Sequence, residues 1–106
     1  MAAKPTAKRP AIRKGRANVF TDLGFAAEEA EHLRIRADLM IVLTGAIEAQ
    51  GLSQAAAAKL LGVTQPRISD LKRGKIDRFS IDTLVTLLAH AGIKVAFSTR
   101  RVAHVA

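Results

Sequence analysis

The chain has 106 residues, enough for one compact domain, and a domain of this size buries only a modest share of its surface. It contains no cysteine, which excludes disulfides, thiolate metal sites and cysteine nucleophiles. The formal net charge is +8, no apolar stretch approaches the roughly 20 residues of a membrane span, and the basic N-terminus lacks a secretory h-region, so we expect a cytoplasmic protein.

Most of the excess positive charge lies in residues 1–17. This segment holds six of the 17 Lys and Arg residues, two prolines and no acid, and it has no apolar periodicity, so we predict a disordered basic arm. The remaining residues carry a net charge of only about +2. Such an arm favours a polyanionic partner, because each phosphate that it neutralises releases a counterion. A merely solvated tail fits the same composition.

Residues 18–25 form a short, partly apolar lead-in to the first long helix. We predict that this helix begins near Ala26, because three glutamates cluster in its opening turns, and that it ends at Gln50 before Gly51. Within it, residues 39–43 are apolar on every side of the helix. A helix that is apolar all round is buried all round, here either against several other helices or against a partner subunit.

Two short helices are predicted next. Ser53 is a suitable N-cap for an alanine-rich second helix that stops at Gly62. Thr64 then caps a third helix, in which Pro66 is tolerated because its missing N–H belongs to the first turn, and Gly74 closes it.

A fourth helix and a strand complete the prediction. Ser80 caps the helix, whose apolar residues repeat at helical spacing up to Gly92. In residues 93–97 apolar side chains alternate with Lys94 and Ala96, which predicts a strand. A single strand needs a partner, which is either residues 18–25 or the same strand of a second subunit.

The second and third helices carry a steric pattern of four residues. Ala58 is small where two crossing helices approach, Gly62 is free to adopt positive φ, and Ile68 and Leu71 supply apolar anchors beneath the third helix. The spacing therefore predicts a helix-turn-helix, with an accidental match as the less favoured alternative.

The third helix should present a polar face to solvent. At 100° per residue, Ile68 and Leu71 point to the core, whereas Pro66, Ser69, Asp70 and Arg73 point outward, with Gln65 and Arg67 on the two flanks. In helix-turn-helix docking this N-terminal end enters the major groove, where Gln pairs with adenine and Arg with guanine.

Asp70 is the unexpected member of this face, because phosphates repel an acid. It must either accept from cytosine N4 or orient Arg67 or Arg73, and we favour the orienting role.

Other residues are candidates for holding the DNA backbone. Thr64 is mainly a helix cap, although its amide end is placed to meet a phosphate. Lys72 is as suited to a phosphate contact as to solvent. The remaining candidates for backbone contact are Gln54, Arg73, Lys75 and Arg78.

These segments resemble a known family. Leu52-Ser53-Gln54 and residues 61–75 are similar to the Cro/repressor-like (XRE) helix-turn-helix family. Residues 18–25, the Glu-rich helix after them, and Phe79-Ser80-Ile81-Asp82 with Leu84 resemble its HigA-like antitoxin branch. The resemblance covers roughly residues 18–97 and omits the basic arm.

The resemblance implies an all-α, lambda-repressor-like helix-turn-helix bundle of four to five helices, to which the alternating pattern of residues 93–97 adds the short C-terminal strand. The domain would span residues 18–98, followed by a flexible tail over residues 99–106. It implies a homodimer on a palindromic operator, often an antitoxin that represses its own operon and neutralises a small RNase-type toxin. The positions that match the family's DNA contacts are Gln54, Gln65, Pro66, Ser69 and Asp70, with backbone contacts near Arg73 and Lys75.

Pro66 departs from the hydrogen-bond donors of many relatives and offers only apolar contact, for example to a thymine methyl. Specificity should then depend on Gln65, Arg67 and Ser69.

We therefore predict a DNA-binding repressor that is also an antitoxin. The alternative is a protein-interaction module that inhibits a partner, with DNA contact incidental. An enzyme is a remote third possibility, because no nucleophile, base and orienting group occur together. The three histidines are scattered, so we expect neither a metal nor a cofactor.

Overall fold

The computed structural model describes residues 18–101, which form five α-helices and one short 3-10 helix. The helices are α1 (Val19–Asp22), α2 (Ala27–Ala49), α3 (Gln54–Leu61), α4 (Gln65–Lys72), the 3-10 helix (Ile76–Arg78) and α5 (Ile81–His90). No helix within this part of the chain is long and apolar enough to cross a membrane. The predicted basic arm and residues 102–106 of the predicted tail lie outside the described residues.

Local capping explains where the helices begin, and the predicted bounds are confirmed to within one or two residues. The Ser53 hydroxyl accepts a hydrogen bond from the Ala56 amide at 3.1 Å, and Ser80 does the same for Thr83 at 3.1 Å. The lead-in contains the one-turn helix α1, in which the Asn18 side chain accepts a hydrogen bond from the Phe20 amide at 3.0 Å.

The predicted strand at residues 93–97 is wrong for the described chain. After α5 the backbone from Ile93 to residue 101 has no regular secondary structure, and it forms no ladder with any described residue. One of the two partners proposed for it, residues 18–25, is occupied by the helical turn of α1 and cannot offer a strand edge. The alternating pattern instead seats Ile93 and Val95 on the core and leaves Phe97 86% exposed.

Helix α2 is the axis of the bundle and contacts α1, α4, the 3-10 helix and α5. The core contains no buried polar or charged side chain among the described residues. Its largest fully buried side chains are Phe79, Leu43, Ile47, Leu61, Ile68, Leu71, Leu84 and Leu88.

The prediction that residues 39–43 are buried on every side is correct for most of the segment. Met40 and Leu43 are buried, and Leu39 and Val42 are half-buried against the same core. Ile41 is the exception, because 51% of its surface is exposed. Contacts within the chain thus explain four of the five apolar residues.

Candidate nucleic-acid interface

Helices α3 and α4 pack against each other across a three-residue turn, and the steric pattern predicted for them is confirmed. Ala58 is buried on α3, and Ile68 and Leu71 are buried beneath α4. Gly62 adopts a left-handed conformation with φ +72°, which lets the chain leave α3 at once. The Val63 amide then donates to the Ala58 carbonyl at 3.0 Å and closes the turn.

A histidine from α5 supports the end of α3. The Nδ1 atom of His90 lies 2.9 Å from the Leu61 carbonyl oxygen. Because a carbonyl only accepts, Nδ1 must carry the proton and donate. Sequence reasoning missed this contact, since His90 lies 29 residues from Leu61 and no local pattern links them.

Helix α4 presents the predicted polar face to solvent. Gln65 and Pro66 are exposed at its N-terminal end, Ser69 is half-buried one turn later, and Lys72 and Arg73 are exposed at its C-terminal end. Gln54 is exposed at the first residue of α3. Because α3 packs against α4, Gln54 and the polar face of α4 belong to neighbouring helices.

Thr64 and Lys75, at the two ends of α4, are placed differently from what the sequence predicts. Thr64 occupies the predicted N-cap position of α4, but its hydroxyl accepts no capping hydrogen bond, so it remains exposed without the predicted side-chain cap. Lys75 is half-buried just beyond Gly74, and its amide donates to the Asp70 carbonyl at 3.0 Å, which closes the end of α4.

The side chain of Arg67 turns away from the open face. Its Nη1 atom donates to the Arg78 carbonyl oxygen at 2.9 Å, and its Cζ atom lies 4.4 Å from the ring centroid of Phe79. The ring is almost completely buried, so the guanidinium covers part of the core in a cation–π contact. Arg67, which the sequence predicts to read a base from the flank of α4, therefore makes two contacts within the protein instead.

Asp70 does not orient Arg67 or Arg73, the role that the helical spacing predicts for it. It accepts from Nη1 of Arg78 at 3.2 Å. The reason is the path of the chain after α4: the 3-10 helix brings Arg78 back beside α4, while Arg67 is engaged on Phe79. Arg78, predicted as a phosphate contact, is thus paired with an acid, although its side chain is still 53% exposed.

A groove of about 570 Å³ lies between α2 and the start of α5. Its walls mix basic residues such as Arg36 and Arg78 with the acids Asp77 and Asp82. Arg36 also donates to the Ile76 carbonyl at 3.3 Å and ties α2 to the 3-10 helix. Among residues 18–101, no group of three or more histidine, aspartate or glutamate side chains is placed to hold a metal ion.

Comparisons with known proteins agree with this geometry. The model of a family described as a helix-turn-helix domain matches residues 19–100. A solved chain named as an XRE family transcriptional regulator is 37% identical, with a TM-score of 0.65, and the match covers 69% of this chain and 82% of that one. A search of the curated proteins found no match.

Proposed function

Since the chain belongs to the XRE-type helix-turn-helix family of DNA-binding transcriptional regulators, we propose that it is a sequence-specific repressor. One observation carries this proposal. Helix α4 is anchored from below by Ile68 and Leu71, while its N-terminal end exposes Gln65 and Pro66. A rigidly seated helix with an exposed amide at this end is the arrangement that reads base edges in the major groove.

The residues on this surface divide into those that read base edges and those that contact the DNA backbone. The Gln65 amide can pair bidentately with adenine, Ser69 can bond to either purine or pyrimidine edges, and the Pro66 ring can contact a thymine methyl. Asp70 takes part in DNA binding indirectly in this proposal, through its ion pair with Arg78. Contacts to phosphates fall to the residues around these three base-reading residues, which are Gln54, Thr64, Arg73 and Lys75.

The test is a selection of duplexes from a randomised DNA pool, followed by anisotropy titrations on the selected duplex and on the DNA upstream of the protein's own gene. We expect Gln65→Ala to weaken binding by about five- to 150-fold and to relax preference at one base pair, because a bidentate contact is worth about 1 to 3 kcal/mol. Gln50→Ala removes an exposed glutamine outside α4 and should leave both the affinity and the base preference unchanged. A pool that shows no enrichment for the wild-type protein would contradict the proposal.

We propose further that two copies bind a palindromic operator, because paired reading helices fit half-sites one helical turn apart. Support comes from residues 93–101, whose backbone forms no ladder within the described chain, and from the exposed Phe97. Phe97→Asp should lower the mass seen by light scattering from dimer to monomer. Ile41→Asp alters another exposed apolar side chain, on α2, and should leave the mass of the dimer unchanged. The reverse result would indicate that the subunits contact each other through α2 instead.

The antitoxin role, with neutralisation of a small RNase-type toxin, is a second proposal that depends on the resemblance of residues 18–25 to the HigA-like branch. It is supported by apolar side chains left exposed away from α4, which are Val19, Leu23, Phe25 and Ile41. Co-expression with the adjacent reading frame should yield a complex and restore growth that the partner alone arrests. If this chain is recovered without the partner, and its co-expression does not change growth, the result would count against an antitoxin and against an inhibitory interaction module.

A further inference from the structure

Four residues connect the recognition helix to the segment that follows it. Arg67 and Asp70, one turn apart on α4, both contact Arg78, the last residue of the 3-10 helix, and Arg67 also contacts Phe79 directly after it. Arg67 donates to the Arg78 carbonyl and covers the Phe79 ring, and Asp70 accepts from the Arg78 side chain. We call Arg67, Asp70, Arg78 and Phe79 the α4 clasp.

The clasp uses both the backbone and the side chain of Arg78. The carbonyl of Arg78 holds Arg67, whereas the side chain of Arg78 is held by Asp70. Phe79, which follows directly, is only 1% exposed and belongs to the hydrophobic core. The clasp therefore ties the polar face of α4 to the hydrophobic core.

For Arg67 to reach a base, its guanidinium would have to leave both partners. It would break a hydrogen bond of 2.9 Å and uncover the ring of a core phenylalanine. Lys72 and Arg73 lie at the end of the same helix, are exposed and need no such rearrangement to meet DNA. The arrangement favours a role for Arg67 within the protein over one in the groove.

We infer that Arg67 is a positioning residue, and that the α4 clasp fixes the angle at which Gln65 and Ser69 meet the base pairs. This inference rests on the proposed function. A helix held in its docking orientation before binding does not have to be ordered at the moment of contact. Loss of the clasp therefore weakens every contact made by the helix, whereas loss of a base reader affects one base pair.

The experiment uses the full chain and two probes, namely the duplex that the wild-type protein selects from a randomised pool and the pool itself. Arg67→Ala should weaken binding to the selected duplex by about tenfold, the equivalent of one good bidentate contact, with the loss of preference spread over the base pairs under Gln65 and Ser69. Arg67→Lys should not restore binding, because an ammonium has neither the planar face nor the fork of a guanidinium.

A double-mutant cycle with Phe79→Leu distinguishes a positioning role of Arg67 from direct base reading. If Arg67 acts through the ring, Arg67→Ala should cost much less in the Phe79→Leu background than in the wild type. The same cost in both backgrounds, a loss of preference at a single base pair, or rescue by lysine would each overturn the inference.

Circular dichroism on each variant establishes that it is folded. Should Phe79→Leu not fold, Asp70→Asn takes its place, since it removes the ion pair and keeps the side-chain shape. It should reproduce the spread loss of preference, and a change confined to one C·G pair would overturn the inference by making Asp70 a base reader. Failure of the wild-type protein to enrich any sequence refutes the proposed function itself, whereas enrichment with unaltered Arg67 and Asp70 variants refutes the clasp alone.

Discussion

Gly45 and Gly62 place opposite demands on the backbone. Gly45 lies in the interior of α2, and a Cβ atom built there would meet nothing within 4 Å. Gly62 has φ +72° at the turn between α3 and α4, and its Cβ would lie 3.8 Å from the His90 ring, an ordinary contact. Space is therefore available at both positions, and only the backbone conformation distinguishes them.

We expect Gly45→Ala to raise the free energy of unfolding by up to about 1 kcal/mol, because alanine restricts the unfolded chain and suits a helix. Gly62→Ala should lower it by about 1 to 2 kcal/mol, the cost of a left-handed conformation for an L side chain. Urea denaturation of the two variants measures both values. Equal effects from the two substitutions would contradict the left-handed turn.

Helix α2 makes a second contrast, within one apolar segment. Leu43 is completely buried and Ile41 is half-exposed, although they are two residues apart and of equal size. Leu43→Ala should lower the free energy of unfolding by about 2 to 5 kcal/mol, because it removes buried apolar surface and leaves a cavity.

Ile41→Ala should change the same quantity by less than about 0.5 kcal/mol, as expected of a surface position. Thermal denaturation at several protein concentrations provides the measurement. A large, concentration-dependent loss for Ile41→Ala would place this residue in a subunit interface, the alternative that the sequence left open.

The same helix carries an ion-pair network on its exposed side. Arg34 donates to both carboxylate oxygens of Glu31, at 2.6 and 3.2 Å, and lies 3.3 Å from Asp38. The hydrogen bond from Arg34 lowers the pKa of Glu31, and the same bond raises the pKa of Arg34. A carboxylate whose pKa is lowered by folding stabilises the protein above its ordinary pKa and loses that contribution as pH falls through the lowered value.

We therefore expect Glu31→Gln to lower the melting temperature at pH 7 by at most a few degrees, because exposed pairs contribute less than about 1 kcal/mol. The difference from the wild type should shrink as pH falls below the ordinary glutamate pKa of about 4.3 and vanish in stronger acid. Glu48→Gln, an exposed change near the other end of α2, serves as the control and should not lower the melting temperature at either pH. A difference that persisted in acid would contradict the ionic origin.

These elements also explain what the sequence could and could not predict. Helix bounds were predictable because caps are local: Ser53 and Ser80 bond to amides three residues away. The strand predicted for residues 93–97 was wrong, because alternation shows which face is apolar but says nothing of a ladder partner. The partner of Asp70 was missed for a related reason, since helical spacing brings Arg67 and Arg73 near it, whereas the path of the next segment brings Arg78.

The charge of the whole molecule makes one further prediction. Residues 1–17 hold six basic residues and no acid, while the remaining chain is nearly balanced. If the arm neutralises phosphates, its deletion should reduce the slope of log K against log salt by about 0.9 for each phosphate that the arm neutralises. A scrambled arm of the same composition should keep the wild-type slope. An unchanged slope after deletion would show that the arm does not touch DNA.

The position of Arg67 over Phe79 has a spectroscopic consequence. Protons above the face of an aromatic ring are shielded by its circulating π electrons, so the guanidinium protons of Arg67, 4.4 Å from the ring centroid at Cζ, should resonate upfield of other arginines. The sequence has four phenylalanines and neither tyrosine nor tryptophan, which leaves few rings to produce a similar shift elsewhere. One resonance thereby reports, without any label, whether Arg67 stays on the ring when DNA arrives.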